Sequence, residues 1–313
     1  MNIKRPKVLL IGNGISRAYS ESALGWEKLL EEITENKKVI GHRTDMPFGL
    51  EAVLRTNENV KGKMSTIQDR LYREVRGADY INTLNNLLSI KFDEILTTNY
   101  DLDIEAVSRG VGKISGSLHK GITHNLKKGK TAERKYFIHT AQHLGELQDK
   151  YATRLWHIHG HVRNADSMVL GHYYYGRLLA KYVDHFENVR NRYEKMIKGE
   201  VEYSYSSWID AFVLGDVYIL GFGFDYAEID MWWLLNRKWQ EKEGVRGKTV
   251  YYEPKTTDDV NFKKELLRVY GVDVDTEFGI QVTEKDENVK ITKYAEYYER
   301  AIQDIRARVV GDS

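Results

Sequence analysis

The chain has 313 residues, 42% of them hydrophobic and 30% charged, which is typical of a soluble globular protein with a full core. Its 47 Lys and Arg against 46 Asp and Glu give a formal net charge of +1, which indicates neither nucleic acid nor an anionic membrane as a partner. Cysteine is absent, so disulfides, thiolate catalysis and cysteine-ligated zinc are excluded.

The sequence contains no apolar run approaching the length of about 18 residues that a membrane span requires. An apolar, strand-like run begins at Val8, and the few residues before it do not resemble a secretory signal. We therefore expect a cytoplasmic protein without a membrane partner.

Strand-like and helix-like segments alternate along the chain. We predict strands at 8–11, 92–98, 155–162, 168–170, from 217 and at 248–253. We predict helices at 26–33, within 49–88, and at 173–197, 208–214, 227–240, 260–270 and 294–309, and a glycine- and lysine-rich loop at 109–135.

This alternation predicts an α/β fold, a Rossmann-like and mostly parallel sheet with helices on both faces. We expect a single domain over 1–313, with a helical insert or subdomain at 27–90.

The first predicted strand is followed by the glycine-containing turn Gly12-Asn13-Gly14-Ile15-Ser16. Glycines let a backbone approach a phosphate closely, and the start of a helix offers free N–H groups. A full G-x-G-x-x-G pattern is missing, so an ordinary strand-to-helix turn fits this motif equally well.

Polar side chains follow the strand predicted at 92–98. Asn99 is suited to bind a ribose hydroxyl or to position a water molecule. Asp101 either accepts a hydrogen bond from a ligand amide or caps the helix that begins near Leu102.

Three histidines alternate at His157, His159 and His161. On a straight strand they would face one way and offer a metal site. Alternatively, Gly160 breaks the strand and a single histidine acts as a general base. No H-E-x-x-H spacing accompanies them, and the residue type alone leaves both possibilities open.

A second glycine turn follows the strand that begins at 217. Gly221, Gly223 and Asp225 either approach a ligand from the side opposite the first turn or form a turn and a helix cap. Because the carboxyl ends of parallel strands share one edge of a sheet, we expect all four motifs to converge on a nucleotide site.

In this order and spacing the motifs resemble the sirtuin superfamily, from about Val8 to Leu235. The first turn is similar to the family's GAGxS turn, which holds the dinucleotide phosphates. Thr98 to Asp101 resembles its TxNxD motif, His159-Gly160 its catalytic HG pair, and Gly221 to Gly223 its late turn near the adenosine. The closest resemblance is to the bacterial NAD-hydrolysing branch in antiphage systems of the Thoeris and abortive-infection type.

Two departures separate the chain from the protein-deacylating sirtuins. Those enzymes carry a four-cysteine zinc module and an arginine-containing loop, whereas this chain has no cysteine and a dissimilar segment at 17–26. The resemblance therefore implies an NAD⁺ glycohydrolase, with NAD as substrate and no metal.

In that interpretation Asn99 and His159 are catalytic. The NAD-binding residues implied are Gly12, Asn13, Gly14, Ile15, Ser16, Asp101, Gly160, Gly221, Gly223 and Asp225. The role implied is an effector of antiphage defence, controlled by homo-oligomerisation or by a sensor partner.

Two alternatives stay open. One is a module that senses NAD or ADP-ribose without turnover, and the other is a metal-dependent hydrolase that uses the three histidines.

Overall fold

The computed structural model describes residues 5–19, 25–34, 48–56, 59, 61–110, 136, 138–144, 153–201, 204–256, 262–275, 281–282 and 287–311. Of the loop predicted at 109–135, residues 111–135 lie outside these ranges.

The described strands form one large sheet and one small pair. They are β1 Lys7–Ile11, β2 Glu94–Thr97, β3 Gln142–His143, β4 Arg154–His157, β5 Asp216–Leu220, β6 Thr249–Tyr252, β7 Lys255–Thr256, β8 Asp273–Asp275 and β9 Gln281–Val282. The large sheet has the order β3-β4-β2-β1-β5-β6-β8 and is parallel except for β3, which runs antiparallel to β4. The predicted α/β fold with a mostly parallel sheet is confirmed.

Helices fill the connections between the strands. They are α1 Gly14–Arg17, α2 Trp26–Glu32, α3 Phe48–Arg55, α4 Met64–Leu71, α5 Ala78–Leu88, α6 Asp103–Ser108, α7 His172–Ile197, α8 Trp208–Leu214, α9 Ile229–Gln240, α10 Phe262–Val269 and α11 Glu287–Gly311. The predicted insert corresponds to α2–α5 between β1 and β2, while its domain limits at 27–90 stay a prediction. None of the described helices combines the length and the apolar content needed to cross a bilayer.

The central strands are buried on both faces because alternate residues enter two different cores. Leu9 and Ile11 of β1 pack in a cluster with residues of α2–α6 and α11. Val8 and Leu10 pack in a second cluster with residues of α7–α10. The continuous apolar runs by which these strands were predicted follow from burial on both sides.

One predicted strand is too long and another is absent. The strand predicted at 155–162 ends at His157, because Gly160 adopts φ +80° and turns the chain. A Cβ at Gly160 would lie 2.1 Å from the carbonyl oxygen of Ser167, so only glycine fits this turn. The segment 168–170 is a loop in which Val169 N–H donates to the His159 carbonyl at 2.8 Å.

The turns that follow β1 and β5 pack backbone against backbone. Gly12 N–H donates to the Leu220 carbonyl at 3.0 Å, and Gly14 N–H donates to the Gly221 carbonyl at 2.7 Å. A Cβ at Gly12 would lie 2.5 Å from the Gly221 oxygen, and one at Gly14 would lie 2.6 Å from Tyr298 Oη. β1 lies between β2 and β5, so the chain departs on one side of β1 and returns on the other, which is where open α/β sheets bind ligands.

Substitution of Gly12 by alanine tests this packing. Because the clash is with backbone atoms that cannot swing away, Gly12→Ala is expected to lower the free energy of unfolding by about 1–3 kcal/mol. The matched control is Gly176→Ala, on an exposed turn of α7 where a Cβ meets no atom within 4 Å. This control is expected to be neutral or to stabilise by up to about 1 kcal/mol. Equal effects of the two substitutions in urea unfolding would show that the turns do not depend on this close approach.

Candidate functional site

A pocket of about 520 Å³ opens where β1, β2, β4, β5 and β6 reach the carboxyl edge of the sheet. This volume is within the range of small-molecule sites. The predicted site residues that line it are Asn13, Gly14, Asn99, Asp101, His159, Gly221, Gly223 and Asp225. The predicted residues that do not line it are Gly12, Ile15, Ser16 and Gly160.

The pocket-lining histidine is His159, and its ring is fixed by a carboxylate. His159 Nε2 lies 2.8 Å from Asp230 Oδ2, and Asp230 on α9 is completely buried. Tyr182 Oη donates to the same oxygen of Asp230 at 3.3 Å. An ionised carboxylate only accepts hydrogen bonds, so Nε2 carries a proton and the lone pair of the neutral ring is on Nδ1. Nδ1 makes no hydrogen bond with the described residues.

The surroundings of His159 also change its basicity. Burial lowers the pKa of His159, but the charge and hydrogen bond of Asp230, with the charge of Glu228, outweigh burial and raise this pKa above its ordinary value. A histidine oriented and made more basic by a buried carboxylate is suited to accept a proton from a bound hydroxyl group or water.

The other two histidines do not line the pocket. His157 Nε2 lies 2.9 Å from Glu105 Oε1, and its Nδ1 lies 3.1 Å from the carbonyl oxygen of Asn99. The ring of His161 meets that of His157 edge-on at 5.2 Å between centroids. The three histidines are therefore not gathered as one set of metal ligands, and His157 instead holds the loop that carries Asn99.

The two polar residues after β2 line the pocket next to that loop. The backbone N–H of Asn99 donates to Thr97 Oγ1 at 3.1 Å, while the Asn99 carboxamide makes no hydrogen bond with the described residues. Asp101 Oδ1 accepts a hydrogen bond at 3.1 Å from the backbone N–H of Asp103, the first residue of α6. Asp101 thus contacts the start of α6 and also lines the pocket, and its hydrogen bond to a ligand amide stays a prediction.

Sequence reasoning missed Glu228, a half-buried carboxylate of the pocket wall. It precedes α9 directly, in a position where acidic residues are common for the sake of the helix alone, so its type gave no signal of a site. Burial raises the pKa of Glu228 to about 7, with His159 opposing this effect and Asp230 adding to it.

Among the described residues, Glu228 also forms a group with His159 and Asp230 that could hold a metal ion. Donor atoms of His159, Glu228 and Asp230 lie within 4.8 Å of one another. The distance between His159 and Asp230 is that of a hydrogen bond, and we interpret the group as a hydrogen-bonded histidine–carboxylate cluster.

Two arginines, Arg17 and Arg76, are among the described residues that line the pocket. Arg76 is buried and paired with Glu74 and with Asp103, 2.9 Å away in the latter case. Arg17, the last residue of α1, is exposed, and its guanidinium lies next to Gly25 at the pocket wall. The sequence had marked the segment at 17–26 only as a departure from the deacylases, because a single arginine carries no motif.

Comparison with known proteins adds one match. Residues 93–273, more than half of the chain, match the family model described as SIR2-like domain. This span contains Asn99, His159 and the late glycine turn, while the first glycine turn precedes it. A search of curated proteins found no match.

His157 provides a pH-dependent test of the loop that carries Asn99. Burial lowers the pKa of His157, but Glu105 and the Asn99 carbonyl raise it above its ordinary value. The folded chain therefore holds this proton more tightly than the unfolded chain. The resulting stability is complete below about pH 6.5, the unfolded pKa, and is lost as the pH rises through the folded pKa.

The difference in free energy of unfolding between the parent protein and His157→Gln is therefore expected to shrink as the pH rises from about 5.5 to about 8.5. His172→Gln, at the exposed start of α7, is the control and is expected to show no such trend. A constant difference for His157→Gln across this range would contradict a charged His157.

Proposed function

This chain belongs to the SIR2-like family, and we propose that it is an NAD⁺ glycohydrolase that releases nicotinamide and ADP-ribose. The family assignment supports an NAD-related function, and the resemblance of the motifs to the NAD-hydrolysing branch supports the reaction. The observation that carries the proposal is the pocket-facing ring of His159, held through Nε2 by Asp230 and lining the same pocket as Asn99.

The reaction requires little covalent chemistry from the protein. The C1′–N bond breaks with its electron pair passing to the nicotinamide nitrogen, which leaves positive charge on the ribose ring. Water then bonds to C1′, and its proton passes to Nδ1 of His159 and later to solvent. The carboxamide of Asn99 holds a ribose hydroxyl or the attacking water, which fixes the geometry of the attack.

In this proposal the remaining lining residues bind different parts of NAD⁺. Asn13 and Gly14 take the diphosphate, and Asp101 accepts a hydrogen bond from the nicotinamide carboxamide. Gly221, Gly223 and Asp225 lie beside the adenosine half. Four predicted residues do not line the pocket, and in this proposal they act through the backbone. Gly12, Ile15 and Ser16 keep the first glycine turn in position, and Gly160 keeps the turn after β4 in position.

The biological role that we propose is depletion of NAD⁺ in the cytoplasm during phage infection. Unregulated hydrolysis of this cofactor is toxic to the cell that makes the enzyme. We therefore propose that a sensor partner or assembly of several copies switches the activity on.

Measurements of nicotinamide release and of chelator sensitivity distinguish two other functions from NAD⁺ hydrolysis. A module that senses NAD or ADP-ribose binds the nucleotide and releases no nicotinamide. A metal-dependent hydrolase is favoured by one observation, the closeness of His159, Glu228 and Asp230, and it loses its activity in a chelator.

Removal of the proposed catalytic groups tests the function. His159→Ala and Asn99→Ala are each expected to reduce nicotinamide release from NAD⁺ by about 10²–10⁴-fold, since general-base catalysis and positioning are lost. Release is followed by chromatography with and without a chelator, and far-ultraviolet circular dichroism checks the fold. His172→Ala, which removes a histidine outside the pocket, is the control for loss of an imidazole. Near-normal release by both variants would refute the assignment.

Substitution of Arg17 tests the position of the diphosphate, to which this exposed guanidinium would donate in the proposed complex. A charge-assisted hydrogen bond contributes about 1.5–3 kcal/mol, so Arg17→Gln is expected to weaken binding of ADP-ribose by about tenfold or more. Binding of free nicotinamide, which has no phosphate, is expected to stay unchanged in the same calorimetric titrations. The control is Arg300→Gln on the exposed side of α11. Equal loss of affinity for both ligands would mean that Arg17 supports the pocket in general.

A further inference from the structure

We propose that Glu228 is a second catalytic carboxylate of this site, which binds the ribose hydroxyls and stabilises the positive charge that develops on the ribose ring. This inference rests on the proposed NAD⁺ hydrolysis and assigns a residue that none of the four sequence motifs contains. It begins from the position of Glu228, half-buried in the pocket wall beside His159.

Glu228 has acceptor capacity that the described protein does not use. Its side-chain hydrogen bond is with Tyr175 Oη at 3.5 Å, the outer limit for such a bond, and it makes no other with the described residues. A carboxylate offers about four acceptor positions, and leaving them empty in a partly buried site costs free energy. A ligand that donates hydrogen bonds would fill them.

The neighbouring carboxylates offer less to a ligand. Asp230 Oδ2 receives His159 and Tyr182, while its Oδ1 has no hydrogen bond among the described residues but is buried behind the pocket wall. Asp225 Oδ1 accepts the backbone N–H of Ala227 at 2.8 Å. Glu228 is therefore the carboxylate of this group with the greatest capacity left for a ligand.

A role in helix capping does not explain Glu228. It occupies the N-cap position of α9, yet its side chain makes no capping hydrogen bond. Only its backbone carbonyl serves the helix, accepting from Met231 and Trp232 N–H at 3.1 Å each. Replacement of the side chain by an isosteric amide leaves these contacts in place.

The nicotinamide ribose of NAD⁺ fits an open carboxylate at this point. Its vicinal hydroxyls donate hydrogen bonds, and its C1′ gains positive charge as the bond to nicotinamide breaks. In its ionised form Glu228 places a negative charge in the same pocket, which stabilises the transition state more than the ground state and so lowers the barrier. Glu228 forms and breaks no covalent bond, and the proton of the attacking water still passes to His159.

The test compares Glu228→Gln with the parent enzyme in nicotinamide release under single-turnover conditions and in NAD⁺ binding. The charge is lost while the shape is kept, so the rate of bond cleavage is expected to fall by about 10²-fold or more. NAD⁺ affinity is expected to change by only about threefold, because the amide oxygen still accepts a hydrogen bond. Glu243→Gln removes an exposed carboxylate outside the pocket and is expected to leave the rate unchanged.

Each result decides between the two proposals. If the parent enzyme releases nicotinamide and Glu228→Gln does so at the same rate, the role of Glu228 is wrong while NAD⁺ hydrolysis stands. If the variant loses affinity and rate equally, Glu228 binds substrate only and is not catalytic. Activity that a chelator abolishes and a divalent cation restores would assign Glu228 to a metal instead. If the parent enzyme with bound NAD⁺ releases nothing, the proposed function itself fails and the catalytic role falls with it.

Discussion

Two backbone hydrogen bonds, from Gly12 to Leu220 and from Gly14 to Gly221, join turns that are far apart in the sequence. They require that neither glycine has a Cβ, since the added atom would overlap the opposite turn or Tyr298. The crevice between β1 and β5 owes its shape to this contact. Asn13 and Gly14 on one side of it and Gly223 on the other line the same pocket because the turns are held in register.

The histidine pair beside that crevice shows how one strand end serves two purposes. His157 is fixed by Glu105 of α6, whose neighbours pack on one face of the sheet. His159 is fixed by Asp230 of α9, which covers the other face. The strand ends between them, so these two histidines, two residues apart, reach opposite helical layers. One side chain stabilises the loop that carries Asn99, and the other lines the pocket.

The sequence predicted the parallel sheet and most of its strands, because strands buried on both faces appear as continuous apolar runs such as 8–11. Eight of the twelve predicted site residues line the pocket, since residues that follow parallel strands lie at the same edge of the sheet. It predicted a strand at 168–170 that is absent, because three apolar residues in a buried loop look the same as a short strand.

The features of the site that could not be predicted from the sequence depend on contacts across the sheet. Which of the three histidines faces the pocket follows from the turn at Gly160 and from Asp230, which lies 71 residues from His159. Glu228 and Arg17 belong to no motif, and their place in the site is visible only after β1, β4 and β5 lie side by side. The site itself stays a prediction until the variants are measured.

The place of β5 between β1 and β6 also shapes the way this protein is made. During synthesis β1 and β2 are complete long before residues 216–220 leave the ribosome. Until then one side of β1 is a bare edge with unpaired N–H and carbonyl groups, which invites pairing with other chains. Long-range pairing of this kind is slow, and an open edge favours aggregation until β5 covers it. The same delay means that the part of the pocket wall contributed by the turn after β5 and by the end of β6 forms only after those strands have been made.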